Sequence, residues 1–154
     1  MEYIVDIDKI KSYKIIFKIP IKNQNNKYLH YYKLLYSDEN IHLKYLLIQL
    51  NFKNYLVNEE DKMYRIKINM DDPIFNNIKL LEHIILSTLN QHVEKDIKYT
   101  LYDHIINKEL YYVYPNNQNL YLKISGVWEN ETHIGLVYKL YYKMSTEKLS
   151  NMIC

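Results

Sequence analysis

The fold is decided by residues 120–143, LYLKISGVWENETHIGLVYKLYYK. Apolar and polar side chains alternate along this stretch with a period of two residues, which is typical of half-buried β-strands. The polar segment Glu129–His133 interrupts the alternation. The sequence therefore predicts two long strands, Leu120–Trp128 and Ile134–Lys143, joined as a hairpin with a loop of intermediate length.

Each predicted strand has one apolar face and one face of lysine, serine and tyrosine, because successive side chains of a strand point to opposite sides. The inward face is predicted to hold Leu120, Leu122, Ile124, Gly126 and Trp128 of the first strand and Ile134, Leu136, Tyr138, Leu140 and Tyr142 of the second. The outward face is predicted to carry Tyr121, Lys123, Ser125, Lys139, Tyr141 and Lys143.

One main helix is predicted at about 73–92. Asp72 can cap the free amides of its first turn, and Pro73 fits the first helical position, where a missing N–H costs nothing. Apolar residues recur at helical spacing in Ile74, Ile78, Leu81, Ile85 and Leu89, and the opposite, polar side is predicted to contain Asn77, Lys79, Glu82 and Asn90. A shorter helical pattern follows in Ile97, Leu101 and Ile105.

Further strand-like runs precede and follow the helix. They lie at 13–19, 28–36, 41–50, 63–70 and 110–114. The order of strands, helix and further strands predicts an α+β protein that is mainly β, either OB-like or a related antiparallel sheet or barrel with the helix packed on it. A single domain is expected over 1–144, followed by a flexible C-terminal tail over 145–154.

The composition is unusual, with 18 Tyr, two Gly and a single Arg among the 20 basic residues. Lys, Asn, Ile and Tyr share A/T-rich codons, so an A/T-rich genome explains this composition without any function. The net charge of +2 is too small to indicate a polyanionic partner by itself, because binding depends on local clusters of charge.

The residue types also exclude several kinds of chemistry. With Gly126 and Gly135 as the only glycines, there is no nucleophile elbow and no phosphate-binding loop. Cys154 is the only cysteine, which excludes an intramolecular disulfide and a site with several thiolate ligands. No histidine pair has the spacing of a helical metal site, so neither a metal nor a cofactor is expected, and an enzymatic role is the least favoured hypothesis.

The outward face of the hairpin is the one pattern with a functional mechanism, since lysines can neutralise phosphates beside tyrosines on which bases stack. The candidate nucleic-acid-binding residues are Lys14, Lys18, Arg65, Lys67, Tyr121, Lys123, Lys139, Tyr141 and Lys143. The first four extend the surface only if their strands belong to the same sheet. The alternative is an ordinary solvated strand face, on which lysine also protects an edge from aggregation.

The stretch Leu120–Tyr142 resembles the C-terminal hairpin of small proteins of nucleocytoplasmic large DNA viruses, in its Gly-x-Trp, short acidic loop and Gly-Leu-x-Tyr-Lys. It is also similar to the closing strands of the OB-fold single-stranded-DNA-binding proteins of those viruses and of some phages. That resemblance implies a role in DNA replication. Ser145–Cys154, with only Glu147 beside Lys148, departs from the acidic tail common in such proteins and makes a virion component the alternative expectation.

Two functions from different classes follow as expectations. The first is a non-enzymatic, sequence-tolerant protein that binds single-stranded DNA or RNA. The second is a viral structural or assembly protein, a minor virion component or a homo-oligomer, in which tyrosine-rich faces contact other viral proteins. Without a signal peptide or a membrane span in the sequence, no membrane partner is expected, and the protein is placed in the host cytoplasm or viral factory, or in the virion.

Overall fold

A computed structural model describes residues 3–22, 29–53, 55–60, 63–107, 110–112, 120–143 and 149–152. Within these ranges the protein is α+β and mainly β, as predicted. The strands are β1 (Ile15–Phe17), β2 (Ile21–Lys22), β3 (His30–Ser37), β4 (His42–Leu43), β5 (Leu46–Leu50), β6 (Tyr55–Glu60), β7 (Met63–Ile68), β8 (Asp96–Ile97), β9 (Leu110–Tyr112), β10 (Leu120–Glu129), β11 (His133–Lys143) and β12 (Leu149–Met152). The helices are α1 (Pro73–Val93) and α2 (Thr100–Asn107).

Most strands form one curled, open sheet whose main path runs β1-β3-β10-β11-β12. β10 is central, because it pairs with β11 along one side and with β3 and β5, placed end to end, along the other. β2 and β4 also pair with β3, and β8 pairs with β11. A second, three-stranded sheet has the order β6-β7-β9.

The predicted hairpin is the centre of the large sheet. β10 and β11 pair from Leu120↔Tyr142 to Glu129↔Ile134, but the register shifts between Ile124 and Gly126. Ser125 is therefore a bulged residue, and a bulge exchanges the inner and outer positions of the residues that follow it. Val127 is in the core, whereas Trp128 faces outward. The prediction that Gly126 and Trp128 share the inward face is therefore wrong.

The main helix is confirmed, and it packs on the large sheet. Its N-cap is Asp72, whose Oδ1 accepts a hydrogen bond of 2.9 Å from the N–H of Ile74. The helix ends at Glu94, which adopts a left-handed conformation with φ of 54°. The shorter helical pattern corresponds to α2 at Leu101 and Ile105, but its first residue, Ile97, lies in β8. Glu82, predicted on the polar side of the helix, is instead completely buried.

The core lies between the inward side of the large sheet and the two helices. The fully buried residues Leu34, Ile48 and Leu122 come from three neighbouring strands, and Ile78 and Ile85 come from α1. Each large apolar side chain buried in this way contributes about 1.5–3 kcal/mol to the free energy of unfolding. The core thus fixes one side of the sheet and leaves the outward side for other contacts.

The strand predicted over 41–50 is divided into β4 and β5, which pair with different strands. Two other predicted segments differ from the structure at their ends. The strand predicted over 13–19 is shortened to β1, because Ser12–Lys14 forms a 3-10 turn and Ile19 is 89% exposed. In the segment predicted as a tail, Leu149–Met152 pairs with β11 at Tyr141 and Lys143. Residues 144–148 and 153–154 of that segment lie outside the described residues.

Candidate nucleic-acid interface

The side of the large sheet opposite the helices, here called the outward face, is built from alternate residues of four strands. Pairing across β3, β5, β10 and β11 places the outward residues in rows. From one end the rows contain Gln49, Tyr121 and Tyr141; Leu47, Lys123 and Lys139; Lys33, Gly126 and Val137; and Tyr31, Trp128 and Gly135. Tyr45, just before β5, packs at the side of this surface.

The four rows of the outward face contain basic residues and no acidic ones. Lys123 and Lys139 lie directly opposite each other on β10 and β11, and Lys33 lies on β3 in the next row. Like charges opposite each other on adjacent strands are destabilising. None of the outward positions named above is Asp or Glu. The row arrangement therefore concentrates positive charge that an anion would neutralise.

An aromatic ring holds the central ammonium group in place. Lys123 Nζ lies 4.2 Å from the centroid of the Tyr45 ring, a cation–π distance that fixes the charge without a carboxylate. Lys123 is half-buried and Lys139 is exposed. The ammonium group of Lys139 is therefore in solvent, whereas that of Lys123 is held against the Tyr45 ring.

The two glycines of the chain lie beneath aromatic rings on this face. A Cβ at Gly135 would lie 2.8 Å from Nε1 of Trp128, and one at Gly126 would lie 2.8 Å from the hydroxyl of Tyr31. A larger residue at Gly135 would require the indole ring to shift, and one at Gly126 would also overlap the backbone carbonyl of Tyr32. Tyr31 and Trp128 are themselves partners across β3 and β10. The glycines thus allow two neighbouring aromatic side chains to lie close to the sheet.

The two tyrosines proposed for base stacking are not accessible in this arrangement. Tyr121 is 7% exposed and Tyr141 is 8% exposed, and their rings stack on each other with centroids 5.9 Å apart. Together with Leu47 they form a small apolar cluster on the outward face. The prediction correctly placed them on this face, but burial makes them packing residues. Among the described aromatic residues of this face, Tyr31 and Tyr45, which are half-buried, have the most surface available.

Of the four more distant candidates, only Lys18 reaches the outward face. Its N–H donates to the carbonyl of Lys33 at 2.9 Å, which continues the register of β1 and places it beside Lys33. Lys14 lies in a turn, where its Nζ binds Asp38 Oδ2 at 2.8 Å. This hydrogen bond raises the pKa of Lys14.

The remaining candidates fall elsewhere. Arg65 and Lys67 lie on β7, which belongs to the three-stranded sheet and not to the large one, so the condition for including them is not met. Lys143 ends β11. The side chains of Arg65 and Lys143 lie outside the described residues.

A buried polar cluster at the end of the hairpin was not predicted. Glu129, expected in the loop, ends β10 and is 6% exposed. Its Oε1 accepts a hydrogen bond of 2.9 Å from the hydroxyl of Tyr32 and lies 3.1 Å from Nδ1 of His30. Lys95 Nζ lies 3.6 Å from Oε2 and donates to the carbonyls of Asn130 and Glu131.

The cluster, here called the clamp, stabilises the loop of the hairpin by bonding it to β3 and to the segment after α1. Burial and the hydrogen bond to Glu129 raise the pKa of Tyr32 to about 12, because both favour the protonated hydroxyl. Lys95 ties the segment after α1 to the loop of the hairpin. The only sequence signal for this cluster is a carboxylate at the last residue of an alternating run, which does not reveal its partners.

Over the described residues, no group of three or more His, Cys, Asp or Glu side chains has the geometry to hold a metal ion. Neither helix combines the length and the apolar character that crossing a bilayer requires, as far as the described part of the chain extends.

Comparisons with protein-family models, with curated proteins and with solved structures give no match.

Proposed function

We propose that the protein is a non-enzymatic, sequence-tolerant binder of single-stranded nucleic acid, and that the outward face is its binding surface. The observation that carries this proposal is that Lys18, Lys33, Lys123 and Lys139 lie in or beside rows of the outward face whose described residues include no carboxylate. Phosphate contacts of this kind supply most of the sequence-independent affinity for nucleic acids.

The aromatic contribution is assigned to different residues from those first expected. Tyr31 and Tyr45 border the lysine rows and keep part of their rings exposed. Base stacking on such rings is sequence-tolerant, since every base has a flat face. Tyr121 and Tyr141 pack with Leu47 as an apolar cluster on the outward face, beside the lysine rows.

The architecture supports the same function. A curled antiparallel sheet with a helix packed on its inner side is compatible with an OB-like fold, which binds oligonucleotides across its strands. The resemblance of Leu120–Tyr142 to DNA-binding proteins of large DNA viruses and phages points in the same direction. In that context the protein would act in replication in a viral factory.

Fluorescence polarisation of a labelled single-stranded oligonucleotide tests the proposal. Affinity is expected to fall steeply between about 50 mM and 200 mM salt. The double variant Lys123→Ala/Lys139→Ala is expected to reduce the slope of log K against log [salt] by about 1.4, since each phosphate contact to a single strand contributes about 0.7.

The matched control is Lys11→Ala/Lys79→Ala, which removes the same charge from two exposed positions off the outward face. The control is expected to keep the slope of the unmodified protein. If the oligonucleotide does not bind, or if both double variants change the slope equally, the outward face is not the binding surface.

A second candidate function, self-assembly, is favoured by one specific observation. Beside β1, at the end of the main path of the large sheet, Ile16, Ile19 and Ile21 are 49%, 89% and 62% exposed. Exposed apolar groups at a strand edge can pair with a second copy of the chain. Light scattering on the unmodified protein and on Ile19→Lys tests it: a dimer that becomes a monomer in the variant supports assembly, and a monomer in both contradicts it.

A further inference from the structure

β11 has an open edge between two of its neighbours. On the side away from β10, β8 pairs with His133 and Ile134, and β12 pairs with Tyr141 and Lys143. No strand within the described ranges pairs with residues 135–140 on that side. Alternate residues of this segment therefore direct backbone N–H and C=O groups toward the open edge.

A groove of about 540 Å³ lies at this edge, here called the edge groove. It is lined by Lys98, Thr100, Trp128, Asn130, Leu136, Val137 and Tyr138. The volume is within the usual range for pockets that bind small molecules. The side chain of Leu136 packs in the core, which leaves its backbone to line the groove.

The edge groove has the charge and the composition for an anionic, planar group. None of its lining residues is acidic, and Lys98 is exposed at its border. Trp128, which is 8% exposed, and the half-buried Tyr138 contribute aromatic groups to the lining, and the backbone of β11 supplies hydrogen-bonding groups. Two of the lining residues, Trp128 and Val137, also belong to the outward face. The groove is therefore continuous with the proposed binding surface.

We propose that the edge groove receives one unpaired nucleobase of a bound single strand, with Trp128 in its wall and Lys98 on the adjoining phosphate. This proposal rests on the proposed function and adds a defined subsite to it. A base is favoured over an extended peptide because β8 and β12 close the open edge at both ends, so a longer strand cannot continue past it. A base within a duplex is stacked and paired, so the groove selects single strands.

The test uses the fluorescence of Trp128, which is the only tryptophan of the chain. The full-length protein is titrated with adenosine monophosphate and with a single-stranded oligodeoxyadenylate of about ten nucleotides. Both are expected to quench the emission, and the duplex form of the oligonucleotide is expected not to. Lys98→Glu is expected to weaken the binding of adenosine monophosphate about tenfold, as the loss of a charge-assisted hydrogen bond does.

Lys22→Glu is the matched control, because it makes the same change of charge at an exposed position on β2. It is expected to leave the affinity within about twofold, since surface charges at a distance are screened by salt. The edge groove is overturned if the oligonucleotide binds by polarisation, Trp128 emission is unchanged, and Lys98→Glu binds with the same affinity as Lys22→Glu. That outcome leaves the proposed function standing. If adenosine monophosphate quenches the emission but the oligonucleotide does not bind, a single strand is not the occupant of the groove. The proposed function is then overturned as well.

Discussion

The carboxylate of Glu82 accepts a hydrogen bond of 2.9 Å from the backbone N–H of Leu101, and its other oxygen accepts one of 2.9 Å from Tyr102. Glu82 is in the middle of α1, and the two N–H groups belong to the first turn of α2. A residue of one helix thus caps the next. Burial raises the pKa of Glu82 to about 7, although these two hydrogen bonds act in the opposite direction.

The first prediction concerns pH. Because the pKa of Glu82 is about 7 in the folded protein and 4.5 in the reference state, the folded state holds the proton more tightly. The free energy of unfolding is therefore expected to fall by about 3 kcal/mol as pH rises from 4.5 to 7, and then to level off. Glu82→Gln is expected to remove this decline, as measured by urea denaturation at several pH values.

Glu94→Gln provides the control for this measurement, because it is the same substitution at an exposed residue just after α1. Its pH profile is expected to follow that of the unmodified protein. A Glu82→Gln profile that declines as steeply as the others would show that Glu82 does not titrate in this interval.

The second prediction concerns the contact of Gly135 with Trp128. Gly135→Ala is expected to lower the free energy of unfolding by about 3 kcal/mol, because the added methyl group overlaps the indole ring. In a Trp128→Leu background the same substitution is expected to cost less than about 1 kcal/mol. Circular dichroism with urea measures both, and an equal cost in the two backgrounds would show that the indole is not the source of the strain.

The third prediction concerns the start of α1. Asp72 caps Ile74 with Oδ1 and accepts a hydrogen bond of 2.7 Å from the N–H of Lys53 with Oδ2. Asp72→Ala is expected to lower the free energy of unfolding by about 2 kcal/mol. Asp71→Ala, at the exposed preceding residue, is expected to change it by less than about 0.5 kcal/mol. Equal effects of the two substitutions would refute a capping role.

The fourth prediction concerns the clamp at Glu129. Glu129→Ala leaves the hydroxyl of Tyr32 and the ammonium group of Lys95 without their carboxylate. The expected loss is about 3 kcal/mol in the free energy of unfolding. The neighbouring exposed residue Glu131 gives the control, and Glu131→Ala is expected to be close to neutral. Thermal unfolding of both variants at pH 7 compares them, and similar melting temperatures would contradict the clamp.

Local patterns allowed much of the fold to be predicted. The hairpin and α1 follow from periodicity and from Asp72 and Pro73, which act on their immediate neighbours. The bulge at Ser125 has no local signal, since serine alternates normally there. The start of β1 has no local signal either. Tyr13 fits the alternation with Ile15, but pairing with β3 begins only at Ile15.

The candidate site was predicted less well, because it depends on contacts between residues that are far apart in the sequence. The lysines of the hairpin lie on one face, as alternation requires. The burial of Tyr121 and Tyr141 depends on what surrounds them in three dimensions. Glu82 and Glu129 resemble ordinary surface carboxylates in sequence, because their partners lie 19 to 99 residues away. Lys33 and Tyr31 join the site only through the pairing of β3 with β10.

The bulge at Ser125 changes which residues of β10 point inward. Even-numbered residues point inward up to Ile124, and odd-numbered ones do so from Val127 onward. Deleting this one serine would make Gly126 follow Ile124 directly, so β10 would alternate regularly with Val127 still on the helical side and Trp128 still on the outward face. A single-codon deletion would therefore remove the extra residue without moving any side chain to the other side of the sheet, whereas regular alternation with Ser125 retained would bring Trp128 to the helical side.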